Sequence, residues 1–308
     1  MKKMFFALVA VLGMVSCSTE EVIEVNREQI GFGEVFVDNA TRADYSSGKT
    51  VEGFKVYGTV TAAGNTAQIF NGAIVERDGQ ADGDAWTCNV TQYWMPNATY
   101  NFAAIVDGEA TTTALSTTIT HTVADGDANN KDLLYATATV TTNPNAVPTG
   151  VNAKGVVAFD FSHLLAKMQF KIANATNQKY QVTAITVTGV AQTSTYNVGG
   201  SWGTPTGTPT QLTFGTATVA GGATIAASET RQILPVEQTL NVTITYDVMD
   251  VKDGEDVVVG TLSKSGTITK AFEANTVYEV TATLSGKAIN FTLGTVDGWG
   301  ATDDSITI

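Results

Sequence analysis

The chain has no run of about 20 consecutive apolar residues, so no segment reads as a membrane-spanning helix. Its 308 residues include only two cysteines and two histidines. A framework of disulfides, on which many small exported domains depend, is therefore excluded. Any Ser-His-Asp triad is restricted to His121 or His163. Zinc-ligand spacing, a Gly-rich phosphate loop and a nucleophile elbow are all missing. Basic residues are scarce, 17 Lys and Arg against 30 Asp and Glu, for a formal net charge of −13. Such a chain repels phosphate backbones and anionic lipid, so nucleic acid is excluded as a partner. No segment holds a 3.6-residue period for three turns, which excludes a helical bundle. The chain is read as no enzyme, with no cofactor and no metal.

The N-terminus carries what is present. Lys2 and Lys3 precede an apolar run from Met4 to Val15, followed by Val15-Ser16-Cys17. This order of basic start, short apolar run and small-residue exit predicts a signal peptide over 1–16. Cys17 at the cleavage position resembles a bacterial lipobox, with Met14 in place of the usual Leu. The implied product is lipidated on Cys17 and anchored in the outer membrane. Loss of Lys2 and Lys3 without any acid takes the charge from −13 to −15. With Cys17 lipidated, Cys88 has no intramolecular partner and reads as a small buried apolar residue. Ser18-Thr19-Glu20-Glu21 resembles the acidic signal that sends lipoproteins of the Bacteroidota to the cell surface.

Beyond a tether at 17–27, period-two alternation dominates. Ile30, Phe32 and Phe36 are assigned to one face of a leading strand. Tyr100, Phe102, Ala104 and Val106 repeat the pattern, as do Ala166, Met168, Phe170 and Ile172. The prediction is all-β, with sandwiches favoured over a barrel. The stretch Thr141–Gly150 holds two of the six prolines and reads as a linker. It divides the chain into sandwiches at 28–150 and 151–308.

Few groups invite chemistry. Asp125, Asp127 and Asn129 have the spacing of a calcium loop, but Asn130 replaces its turn glycine and Ala136 its closing Glu. Turn preference explains these acids. His163, beside a core strand, is assigned a hydrogen-bonded structural role. Trp202, in the Gly/Thr/Pro loop 199–210, is the nominated ligand contact.

Several motifs recur in an order that resembles the fimbrillins of Bacteroidota, subunits of surface pili. They are Gln68-Ile69-Phe70-Asn71, Tyr93-Trp94-Met95-Pro96 and Lys131-Asp132-Leu133-Leu134-Tyr135-Ala136. Phe159-Asp160-Phe161-Ser162-His163-Leu164-Leu165-Ala166-Lys167 follows, and Val296-Asp297-Gly298-Trp299 lies near the end. The resemblance implies two tandem transthyretin-like β-sandwiches and assembly by strand exchange. A trypsin-like protease would cut between Arg42 and Ala43, releasing the leading strand and opening a groove. A neighbour's C-terminal segment would fill it, through Ile289, Phe291 and Leu293 or through Ile306 and Ile308. The implied partners are other fimbrial subunits, in a homo- or heteropolymer that supports adhesion to a host or bacterial surface ligand. The alternative is a non-polymerising surface lipoprotein that binds glycan or protein.

Overall fold

The computed structural model describes residues 28–37, 44–45, 49–78, 85–108, 110–112, 117–126, 132–286, 288–296 and 306–307. Among them every regular element is a strand. Val, Thr and aromatic residues fill these strands because branched and ring side chains suit a pleated, half-buried surface.

The first large sheet orders its strands Phe32–Val37, Val157–His163, Leu134–Thr142, Ala98–Val106, Gly53–Ala62, Asn65–Arg77 and Trp86–Cys88. Its inner face buries Phe54, Phe70, Tyr100, Phe102, Phe159 and Phe161 in one core. A second core lies between two further sheets. One runs Thr224–Ile233, Ala166–Asn174, Val277–Ser285, Ala288–Val296 and Ile306–Thr307. The other runs Thr210–Phe214, Lys179–Val190, Glu237–Lys252 and Glu255–Ala271. Met168, Phe170 and Phe291 meet Ile185, Ile244 and Tyr246 between them.

The boundary expected at residue 150 falls elsewhere. Thr142 pairs with Pro148 and Thr141 with Thr149, so the proline-containing stretch folds back on its own strand. The Asn143 side-chain Oδ1 accepts the N–H groups of Asn145 and Val147 at 2.9 and 3.0 Å, which is turn chemistry. Gly150 completes the return with φ of +91°, where a Cβ would lie 2.8 Å from the Thr139 carbonyl oxygen. The next strand, Val157–His163, then enters the first sheet, and Val157, Phe159 and Phe161 join the first core. The chain changes core at Leu164 and Leu165, which are buried in the second. Proline content marked a turn within the first sheet because turns and linkers share the same composition.

The second core also draws on the first half of the chain, through Ile119 and Val123. Thr193–Asn197 pairs antiparallel with Thr117–Thr122, residue for residue from Thr193↔Thr122 to Asn197↔Thr118. The Val123 N–H donates to the Gln192 carbonyl at 2.7 Å. Asp125, the first residue of the calcium-like spacing, accepts from the Thr213 N–H and hydroxyl at 2.9 and 2.7 Å. It also lies 3.6 Å from the buried Arg231 guanidinium. These bonds from Thr213 outweigh the cost of partial burial and hold the Asp125 carboxyl below its ordinary range. Its role in the fold is to tie the loop to the second core.

Candidate functional site

The leading strand Phe32–Val37 occupies the edge of the first sheet and runs parallel to Val157–His163. Its other side is held near its start. The Ile30 N–H donates to the Gln92 carbonyl at 2.8 Å, and the Trp94 N–H to the Glu28 carbonyl at 3.1 Å. The segment is thus gripped between a full strand and the 92–94 connection. Phe32 projects into the aromatic core, 5.3 Å from the Phe70 ring, 5.6 Å from Phe102 and 6.0 Å from Phe159.

The register corrects one expected contact. Phe32 faces Val157, but Val35 faces Phe159 and Val37 faces Phe161. Three residues of the leading strand therefore span two of its partner, which is a β-bulge. One extra residue reverses the inward and outward alternation beyond it. Val35 and Val37 are buried, whereas Phe36 pairs with the exposed Asp160 and is only half-buried. The inward set is Ile30, Phe32, Val35 and Val37, not Ile30, Phe32 and Phe36. Gly33 at the bulge was the available signal, since a strand glycine marks a bulge or a close approach.

The other nominated residues are dispersed. Cys17, Arg42, Ala43 and Ile308 lie outside the described residues. Phe291 and Leu293 are buried in the second core with Ile289 packed beside them, and their strand pairs with Val277–Ser285 along its whole length. Ile306 pairs with Leu293 through its backbone. Trp202 is half-buried against the second core. Its indole N–H donates to the Leu164 carbonyl at 3.0 Å, and its ring packs 5.6 Å from Tyr196. Trp202→Phe keeps the ring but removes the donor, so a loss of about 1 kcal/mol is expected in thermal melts. A larger loss of glycan affinity than of stability would restore Trp202 as a ligand contact.

A polar cluster unites two of the sequence motifs. His163 Nδ1 lies 2.6 Å from Asp132 Oδ2, and both side chains are buried. The neighbouring Ser162 is exposed on the opposite face of the strand. Burial pulls the Lys167 ammonium below its ordinary range, opposed by the Asp132 charge. Burial lowers the His121 imidazole to about 4, again opposed by Asp132. Burial pushes the Tyr135 phenol upward. One carboxylate thus serves three cationic or potentially cationic side chains where the chain passes between cores. Lys167 alternates with the inward Ala166 and Met168, yet it is buried as well.

A model of the family described as fimbrillin-like matches residues 41–299. The chain belongs to the fimbrillin-like family. The leading strand lies just outside the matched residues. Among solved structures, a fimbrial protein of Bacteroides vulgatus is similar, with a TM-score of 0.63 at 18% identity, over 89% of this chain and 100% of that one. A candidate cell adhesion protein of Bacteroides uniformis gives 0.55 at 19% identity, over 88% and 98%. At these identities the likeness establishes a shared β fold. No curated protein matches the sequence.

Proposed function

We propose that this fimbrillin-like chain is a structural fimbrial subunit, exported as a lipoprotein through Cys17 and activated by release of its leading strand. The observation that carries this reading is the dual character of that strand. It lies ahead of the expected cut at Arg42 in the sequence. Yet three of its side chains, with Ile30 just before them, fill the first core. Burying them is worth roughly 6–12 kcal/mol as an upper estimate. That rivals the whole stability of a domain, about 5–15 kcal/mol.

A cut after Arg42 would separate the leading strand from the residues that follow it in the sequence. Once the strand leaves, Val157–His163 presents unpaired backbone groups beside an open row of aromatic rings, a template for strand addition. A neighbour's strand restores both, which makes assembly and recovered stability one event. On the donating side, Ile289, Phe291 and Leu293 already complete the second core, so their release exposes that core in turn. The segment at Ile306 and Ile308 is the less costly donor. The output is a polymer anchored at the outer membrane and displayed for adhesion.

An arginine-specific protease applied to wild type and to Arg42→Ala tests the reading. In the presence of the other fimbrial subunits, wild type should enter SDS-resistant oligomers in which this chain begins at Ala43, and Arg42→Ala should stay outside them. A cut wild-type chain that loses residues 28–42 and remains a stable monomer in their presence would remove the strand-exchange account. The surface lipoprotein that binds glycan or protein would then take its place.

A further inference from the structure

The leading strand is enclosed on its outer face as well as its inner one. Gly31 and Gly33 flank Phe32; Gly31 points at Val156, and Gly33 at Val156 and Trp86. A Cβ on Gly31 would lie 2.9 Å from Val156 Cγ1. One on Gly33 would lie 3.3 Å from Val156 Cγ2 and 3.4 Å from Trp86 Cδ1. Neither wall yields readily. Val156 is fixed by reciprocal bonds to Asn152, accepting from the Asn152 N–H at 3.0 Å and donating its own N–H to Asn152 Oδ1 at 3.0 Å. Trp86 pairs with Arg77 in the sheet, lies under the Arg77 guanidinium at 6.0 Å, and packs 5.5 Å from Phe54.

We propose that Val156 and Trp86 form a steric gate, so that the groove admits only a strand with very small residues on both sides of an aromatic one. The inference rests on the leading strand being replaceable, and it names the occupant. The required pattern is apolar, small, aromatic, small, then two apolar residues beyond a bulge. This chain's own C-terminal segments do not meet it. Ile289-Asn290-Phe291-Thr292 repeats the Ile-x-Phe spacing of Ile30-Gly31-Phe32, but it brings Asn290 and Thr292 to the glycine positions. Ile306-Thr307-Ile308 brings a threonine and no ring. The occupant is therefore a strand from a different subunit rather than from a second copy of this chain.

Labelled peptides added to the full chain nicked at Arg42 test the gate. A peptide of residues 28–37 should bind, and its Gly33→Val version should bind at least about tenfold more weakly, as overpacking predicts. Val156→Ala in the protein should recover most of that difference. A peptide of residues 288–296 should bind no better than the Gly33→Val peptide. Equal binding of the parent and Gly33→Val peptides would abolish the gate while leaving strand replacement intact. Binding of the 288–296 peptide as tightly as the parent would overturn the assignment to a different subunit. Failure of every peptide would end strand replacement, and with it the named occupant. The walls are tested separately in the intact chain. There Gly33→Val should lower Tm and Val156→Ala should return part of the loss, and an unchanged Tm in Gly33→Val would overturn the gate.

Discussion

Phe32→Ala is expected to destabilise the first core by about 3–5 kcal/mol, the cost of deleting a fully buried aromatic side chain. Three rings surround Phe32 within 6.0 Å, two edge-on and one stacked, so the cavity is lined by side chains that are themselves buried. Aromatic pairs of this geometry add to the area they bury. Phe36→Ala, four residues along, should cost about 1 kcal/mol or less, because that ring lies outward and half-buried. Denaturant melts of the two variants separate the readings. Equal losses would mean that alternation runs unbroken through the strand and that the bulge is wrong. The same contrast bears on assembly, since a leading strand lacking Phe32 should leave more readily after a cut.

Asp132→Ala is the second large effect. Removing the carboxylate leaves the buried His163 imidazole without this hydrogen-bond partner, at about 1–3 kcal/mol. Here the loss extends beyond His163, since Asp132 also offsets the burial of the Lys167 ammonium, and about 3–5 kcal/mol in all is expected. Urea melts at pH 7 measure it, and a loss below about 1 kcal/mol would show that the pair is dispensable. Acid should weaken the wild-type chain through His121. Its folded value of about 4 lies below the ordinary 6.5, so between those values the unfolded chain takes a proton that the folded one refuses. The His121 contribution is complete above pH 6.5 and is lost as pH falls through 4, up to about 3 kcal/mol. His121→Gln should flatten this part of the pH profile.

Period-two alternation made most of the fold legible. Tyr278, Val280, Ala282 and Leu284 are buried as their spacing implies, as are Tyr100, Phe102, Ala104 and Val106. Alternation reports which face is apolar, but it assumes that every residue advances the strand by one step. Gly33 breaks that assumption, and Phe36 was misassigned with it. The pattern is equally silent on which strands pair. Val157–His163 reads the same whether it opens a second sandwich or closes the first, and only the sheet order decides. The motifs around Asp132 and His163 were visible separately. Their meeting at 2.6 Å was not, because the two residues are 31 positions apart and only the pairing of Leu134 with His163 brings them together. The enclosure of Gly31 by Val156 likewise depends on a contact between distant parts of the chain.

The parallel ladder between the leading position and Val157–His163 has a mechanical consequence. Any strand seated there lies alongside a segment that continues through Leu164 and Leu165 into Ala166–Asn174, itself central in the next sheet. Tension along a filament would enter as shear, with the hydrogen bonds of the ladder resisting together rather than unzipping singly. The load would then pass through the buried Leu164 and Leu165 into the neighbouring sheet.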